Sequence, residues 1–364
     1  MRVVDRMNRR SVSMAIAILL VAALATGCDP NLNGLNPPNT AGTNFATASL
    51  ITYDANNRAN LSGTVQGDEV DVFDLGAMST GDRIIISVNA DIGSPLDPTI
   101  AVFDGAEEVF AVNDDVDLQG RNFNSAVDDF VAVADDHYYL AVTRYVDALD
   151  GGSYNASVEI VRGGQIPERP TQFLLLNFAG GQFTINGQGS FNLDPFDAAD
   201  IDADYAGQTV AVKSRILETV QENFAGTGLV IHSSDENPNL DGCTFSTIHF
   251  GAFTGDKFGV ADDVDGGNKD RCDNGIVFTD QFDDPFAVQP TTAGIGVAIG
   301  NVASHEAGHL LGLNHVADIS ALMDNTGSAS TLLADQDFKS APLSRSIFPF
   351  GDQNDVKLLN RVIP

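Results

Sequence analysis

Residues 301–325 read NVASHEAGHLLGLNHVADISALMDN, and no other stretch constrains the fold as strongly. Three of the chain's six histidines, His305, His309 and His315, fall here. On a helix, His305 and His309 lie one turn apart on the same face. Both imidazoles then reach a single zinc ion at about 2.0–2.1 Å. Glu306 is turned about 100° from His305, which stands its carboxylate beside such an ion rather than on it. Gly312 accepts left-handed backbone without Cβ strain, so it can end the helix and turn the chain. His315 then returns as a third ligand. Three neutral ligands leave zinc a fourth position open to water, the arrangement of catalytic rather than structural sites. The plain alternative is packed helix histidines with ordinary hydrogen bonds, and the scarcity of histidine elsewhere weighs against it. One catalytic zinc is the expected cofactor.

The first residues point to export. MRVVDRMNRR carries four arginines against one aspartate, and SMAIAILLVAALA follows as an apolar run. The run has the length of a signal-peptide core and is too short to span a membrane. It leads through LATG to Cys28, a pattern that resembles the lipobox of bacterial lipoproteins, where the cysteine is lipidated and becomes residue one. Ala25 stands where the lipobox has leucine, and an ordinary signal peptide cut nearby is the alternative. Residues 1–28 are therefore expected as a lipoprotein-type signal, placing the protein at a bacterial cell envelope or outside the cell. In that oxidising setting Cys243 and Cys272 form an even pair, expected as a disulfide rather than as two free thiols.

The net charge of −31 repels phosphate, so nucleic acid and anionic membrane surfaces are excluded as partners. Membrane contact is expected only through the lipid on Cys28, and nothing in the sequence reads out an oligomeric state. A hydrophobic content of 43% is that of a globular chain, and the length suits two domains.

Residues 29–44, rich in Asn, Pro and Gly, read as a linker. From 45 to 162 short alternating runs recur between turns: VDVFDLG, RIIISVNA, TIAVFDG, EVFAVND, DFVAVAD, YYLAVTR and YNASVEIV. Seven or more strands without a long helical pattern argue for an all-β sandwich. The segment resembles the bacterial pre-peptidase C-terminal domain, carried by GDEVDVFDLGAMSTGDRIIISVNA, SPLDPTIAVFDG, VNDDVD, HYYLAVTRY and GGSYNASVEI. The likeness implies a jelly-roll-like sandwich with an accessory role, although such domains usually follow their peptidase. Asp97, Asp114 and Asp115 suit either a calcium ion or turn capping.

A short linker, 163–170, leads to a second domain, 171–364, expected as α+β. FLLLNFAG, GLVIHSS, CTFSTIHFGAF and NGIVFTDQF read as strands. DYAGQTVAVKSRILETVQENFAG reads as a helix with Val210, Ile216, Leu217, Val220 and Phe224 on one face and Gly226 as its stop. GIGVAIGNVASHEAGHLLG reads as the histidine-bearing helix.

HExxHxxGxxH followed by a methionine resembles the metzincin zinc proteases, and VADISALMD after His315 is similar to the matrixin branch. Asp318, Ile319, Ala321, Leu322 and Met323 match that branch position by position. The resemblance implies a metzincin-like protease domain in which Met323 forms the Met-turn and QNDVKLLNRVI the C-terminal helix. It implies an endopeptidase in which Glu306 is the general base for a zinc-bound water, acting on protein or peptide. The strand at GIVFTDQF is similar to the family's edge strand, on which an extended substrate pairs. The chain departs from the pattern at Val316, and at Asp324 and Asn325, which replace a Tyr-Pro. No upstream cysteine switch is present. The usual histidine-rich metal segment is also missing. In its place Asp262, Asp263, Asp265, Asn268, Asp270 and Asp273 suit either calcium or an exposed acidic loop. His137, His232 and His249 read as structural residues. Two rival functions stay open: a catalytically silent zinc-containing binding or adhesion protein, and a zinc amidase acting on a non-protein amide.

Overall fold

The structure is a computed structural model that describes residues 41–116, 122–240, 242, 244–252 and 257–364. The signal segment with Cys28, most of the 29–44 linker, and Cys243 lie outside the described residues.

Period-two alternation builds the N-terminal half. Its strands are β1 (Ser49–Leu50), β2 (Arg58–Val65), β3 (Asp71–Asp74), β4 (Arg83–Ala90), β5 (Pro98–Asp104), β6 (Val109–Asn113), β7 (Ser125–Phe130), β8 (Tyr138–Arg144) and β9 (Gly152–Val161). They form two sheets, ordered β1-β3-β8-β5-β6 and β2-β9-β4-β7. Ile84, Ile86 and Val88 of one sheet meet Ile100, Val102, Leu140 and Val142 of the other in a single apolar core. The sequence reading passed over β2, RANLSGTV, because Asn60, Ser62 and Gly63 dilute its apolar content. Only Ala59, Leu61 and Val65 point inward, and their alternation is the signal.

β5 is buried along its whole length. Ile100 and Val102 enter the core between the two sheets, while Ala101 and Phe103 point the other way, into a core shared with the C-terminal half. A strand buried on both faces reads as an unbroken apolar run rather than an alternating one, and TIAVFDG has that texture.

The C-terminal half begins with β10 (Phe173–Asn177) and a hairpin, β11 (Gly181–Ile185) and β12 (Gly189–Leu193). Then come α1 (Thr209–Asn223), β13 (Val230–Ser233), β14 (Phe245–Gly251), β15 (Gly259–Ala261), β16 (Asn274–Phe278) and α2 (Thr292–Leu310). The chain closes with β17 (Ser340–Pro342), β18 (Asp352–Asn354) and α3 (Asp355–Val362), the last where a C-terminal helix was expected. The main sheet has the order β13-β10-β14-β16-β15. Its pairings are parallel except β15–β16.

Two expectations change here. β16, read as the edge strand, is flanked on both sides, and the antiparallel edge belongs to the three-residue β15. Val210, assigned to the buried face of α1, is 83% exposed, and the face is set instead by Val212, Ile216, Thr219 and Val220. The two readings share Ile216 and Val220, and the buried stripe is rotated toward Val212 and Thr219, while Val210 sits at the helix start, where no neighbour covers it. The hairpin β11–β12 was also missed, although its Asn186-Gly187 turn is a hairpin signal.

Successive residues of β16 serve opposite faces of the sheet. Val277 joins the helix-side core with Ile248 and Phe250. Ile276 and Phe278 pack instead with Ile185, Phe183 and Phe191 of the hairpin. The sheet is thus covered on both sides, leaving the rim at β15 as its outer boundary beside α2.

Candidate metal centre and cleft

α2 starts at Thr291, whose side chain accepts a hydrogen bond from the Gly294 N–H, a standard N-cap contact. It runs without a break through His305 and His309. At its end Gly312 takes φ +90°, its N–H donates to the His309 carbonyl at 2.9 Å, and the Leu313 N–H donates to Gly308 at 2.9 Å. A Cβ on Gly312 would also lie 2.7 Å from the Asp265 carbonyl oxygen. Both the turn and the close approach of loop 262–273 therefore require glycine.

This turn brings three imidazoles together. The Nε2 atoms of His305, His309 and His315 lie 3.1–3.2 Å from one another. An ion about 2.0–2.1 Å from each would see neighbouring nitrogens at roughly 100°, close to the tetrahedral angle. The outer nitrogens fix the tautomers. His305 Nδ1 lies 2.7 Å from the Leu322 carbonyl and His309 Nδ1 lies 2.8 Å from the Leu313 carbonyl. A carbonyl only accepts, so each Nδ1 carries the proton and each Nε2 turns a lone pair inward. Burial, with His309 and His305 beside it, pushes His315 well below the ordinary imidazole pKa and keeps it neutral. Among the described residues these three form the one group of at least three His, Cys, Asp or Glu whose ligand atoms lie within 4.8 Å of one another. The donor set fits one zinc ion.

Met323 is fully buried beneath this group. Its sulfur lies 2.6 Å from where a Cβ on Gly308 would stand, so the bare Gly308 admits the methionine under the helix. Val316, a departure in sequence, is buried and donates its N–H to the Met323 carbonyl at 2.9 Å. Asp324, another departure, folds back on its own turn: it accepts from the Thr326 N–H at 3.0 Å and the Gly327 N–H at 2.6 Å.

Glu306 is 6% exposed. Its Oε1 lies 2.5 Å from where a Cβ on Gly259 would be, which sets the carboxylate against the backbone of β15. Beside it a cleft opens between α2 and the segment 324–336. The lining includes Val302, His305, Glu306, Leu322, Ala329 and Leu332.

The geometry of the acidic loop lends the calcium expectation no support. Asp262 accepts from the Asn186 and Asn274 N–H groups at 2.7 Å each, Asp265 from Asp270 N–H at 2.7 Å, and Asp270 from Cys272 N–H at 3.0 Å. Burial pushes the Asp263 carboxyl up to about 6 and Asp273 up to about 8. Asn268 takes φ +50° and donates to Gln172. Asp265 and Asp270 cap N–H groups of the loop itself and Asp262 one of the β11–β12 turn, and among the described residues these aspartates form no group of three with ligand atoms within 4.8 Å of one another. Neither do Asp97, Asp114 and Asp115. Cys272 is disulfide-bonded.

The other histidines are placed as structural residues. His249 stacks on Phe183 at 3.6 Å, with its ring nitrogens 3.0 Å from Asn177 and 3.1 Å from Asn274. Burial lowers its pKa to about 4. His232 stacks on Phe173 and His137 on Tyr139.

Gly259, Gly308 and Asn301 escaped the sequence reading. Asn301, one turn before His305, was visible as the lone amide in an apolar helix run. The two glycines announce nothing until the neighbours that press on them are known.

Residues 247–340 match the family model described as matrixin. With the histidine trio, this match supports a zinc metallopeptidase at the level of the family and a metzincin-like protease domain in this half. No curated protein matches the chain in sequence. Among solved structures, archaemetzincin from Methanopyrus kandleri is 13% identical, with 52% of this chain and 94% of that one covered and a TM-score of 0.29. PliG from Aeromonas hydrophila, a periplasmic inhibitor of g-type lysozyme, is 12% identical over 31% of this chain and 96% of its own, at a TM-score of 0.25. PliG from Salmonella Typhimurium is 16% identical over 31% and 98%, at 0.23.

Proposed function

We propose that the chain is an exported zinc endopeptidase that cuts protein or peptide substrates. The observation that carries the reading is the placement of Glu306: its carboxylate stands against the edge strand, one residue along α2 from a histidine of the converging trio. Zinc, held by His305, His309 and His315, would supply Lewis acidity toward the scissile carbonyl and toward water. Glu306 takes a proton from the attacking water and returns it to the leaving amine nitrogen.

β15 orients the substrate. Phe258 O accepts from Phe278 N–H at 2.8 Å, and Asp262 N–H donates to Asn274 O at 2.8 Å. By antiparallel alternation, Gly259 and Ala261 turn their N–H and C=O groups outward. An extended peptide would add there as a further strand. The side chain following the cut bond would enter the cleft between Val302, Leu322 and Leu332, so a medium apolar residue is expected at that position.

Export with a lipid on Cys28, and a Cys243–Cys272 disulfide, belong to the same proposal. The test uses the chain from Asp29 onward against casein and a mixed peptide library. Cleavage should be lost on chelation, return with one equivalent of zinc, and fall before apolar residues. A chain that binds one zinc and cuts no peptide would favour the silent-binder reading. Cleavage confined to non-peptide amides would favour the amidase.

Gly259→Ala gives a second expectation. The new methyl would displace the Glu306 carboxylate, and a misplacement near 1 Å costs about 10²-fold in turnover. The measured kcat should fall by that order at unchanged zinc content. Wild-type kcat in this variant would mean that the carboxylate's place against β15 is irrelevant to chemistry.

A further inference from the structure

Asn301 is 2% exposed and lies on α2 one turn before His305, at the inner end of the cleft. Its Nδ2 donates to the Leu332 carbonyl at 3.0 Å and to the Ala334 carbonyl at 2.9 Å. Its Oδ1 accepts from Asn223 Nδ2 of α1 at 3.1 Å, and the same Asn223 nitrogen reaches Ser304 Oγ at 2.9 Å. Two carbonyls only accept, so the amide orientation is fixed by its partners. One buried side chain thus ties together α1, the histidine helix and the segment that walls the cleft.

That wall needs an outside tie. It is a five-residue 3-10 helix, Ala329–Leu333, with Thr331 N–H donating to Ser328 O at 2.9 Å and Ala334 N–H to Thr331 O at 3.1 Å at its ends. Such helices hold poorly by themselves. The wall's partner on the far side of the cleft is Val302, the residue directly after Asn301. The Asn301 hydrogen bonds therefore join the packing of Ala329, Leu332 and Leu333 on the core in holding the wall against α2.

We propose that Asn301 is a positioning residue that sets substrate selectivity by clamping the cleft wall to the metal-binding helix. This rests on the endopeptidase reading, in which the cleft receives the side chain after the cut bond. Asn301 lies outside the histidine trio and acts on the cleft wall through Leu332 and Ala334. Losing its two donors takes from the Leu332 and Ala334 carbonyls, part-buried at the cleft wall, the partner that ties them to α2. The wall then loosens, and discrimination by side-chain size weakens.

The experiment compares the zinc-loaded chain from Asp29 onward with Asn301→Asp, which keeps size and the acceptor facing Asn223 but removes both donors. Asn223→Ala, which removes the donor to the Asn301 oxygen and to Ser304 Oγ but leaves both bonds to the wall, serves as a milder variant should Asn301→Asp fail to fold. Hydrogen exchange at the Thr331 and Ala334 amides should quicken about tenfold in Asn301→Asp and less in Asn223→Ala. The preference among peptide-library residues after the cut should flatten about tenfold, with KM rising more than kcat falls and zinc content unchanged. Wild-type exchange at both amides in a folded variant, or an unaltered preference profile, would overturn the proposal. If the wild type cuts nothing, the endopeptidase reading fails, and the exchange rates still decide whether the clamp exists.

Discussion

Replacing Glu306 by glutamine is expected, on the endopeptidase reading, to lower peptide turnover by about 10²–10⁴-fold, the range that a positioned general base contributes, with zinc still bound. The substitution keeps the shape of the side chain and removes only its capacity to take a proton. Glu306 lies outside the converging nitrogen trio, so the ligand set survives. Its burial against β15 favours a neutral isostere as readily as the acid, and the fold survives too. The measurement is kcat/KM on the best library peptide, with zinc content determined on the same sample. Turnover within tenfold of wild type would place the base elsewhere. Loss of zinc would make Glu306 part of the metal cradle rather than the chemistry.

The histidine trio was legible because its logic is local. A helix period places His305 over His309, and one glycine returns His315, so eleven residues suffice to state the geometry. The sandwich strands were legible for a related reason, since each alternating run declares its own buried face. What the sequence concealed depends on residues far apart. Nothing in GVA marks β15 as the edge in place of β16, because sheet order is settled by which strands find partners across the fold. Gly259 matters only because Glu306, 47 positions later, fills the space a Cβ would take. Val210 misled because helical period alone cannot tell which neighbour is missing at a helix start. The calcium expectation came from counting carboxylates, and a count does not say where they point: Asp265 and Asp270 turn to N–H groups of their own loop and Asp262 to the hairpin turn.

The greatest concealment concerns the two halves, and it yields the other large prediction: Phe103→Ala destabilises the whole chain by about 3–5 kcal/mol, in a single cooperative transition that carries the zinc site with it. Phe103 is fully buried, but its core is the one built mainly from C-terminal residues. Its ring lies 5.7 Å from Phe348 and 5.8 Å from Phe350, and Phe45 packs edge-on against both Phe103 and Phe350. Around this aromatic cluster, α3 reaches back to the sandwich. Lys357 pairs with Asp104 and Glu108. Arg361 donates to the Phe110 carbonyl at 2.6 Å, lies over the Phe110 ring at 4.2 Å and pairs with Asp129 at 3.2 Å. The same segment supports the metal centre. Ser344 N–H donates to the His315 carbonyl at 2.9 Å, and the fully buried Gln353 accepts from Asn314 N–H at 2.9 Å while donating to Asn314 O at 2.7 Å. Emptying the Phe103 site therefore removes packing from the segment that holds the third histidine. A loss of that size is a large part of the 5–15 kcal/mol that stabilises a typical domain. Deleting residues 41–162 exposes Phe348, Phe350 and their neighbours together, and the remaining chain should bind no zinc at neutral pH. The check is denaturant unfolding followed by aromatic fluorescence and by zinc release. Coincident transitions, both shifted in Phe103→Ala, are expected. Two separate transitions, with zinc release unmoved by the mutation, would show that the halves fold independently and that the sandwich is a detachable accessory.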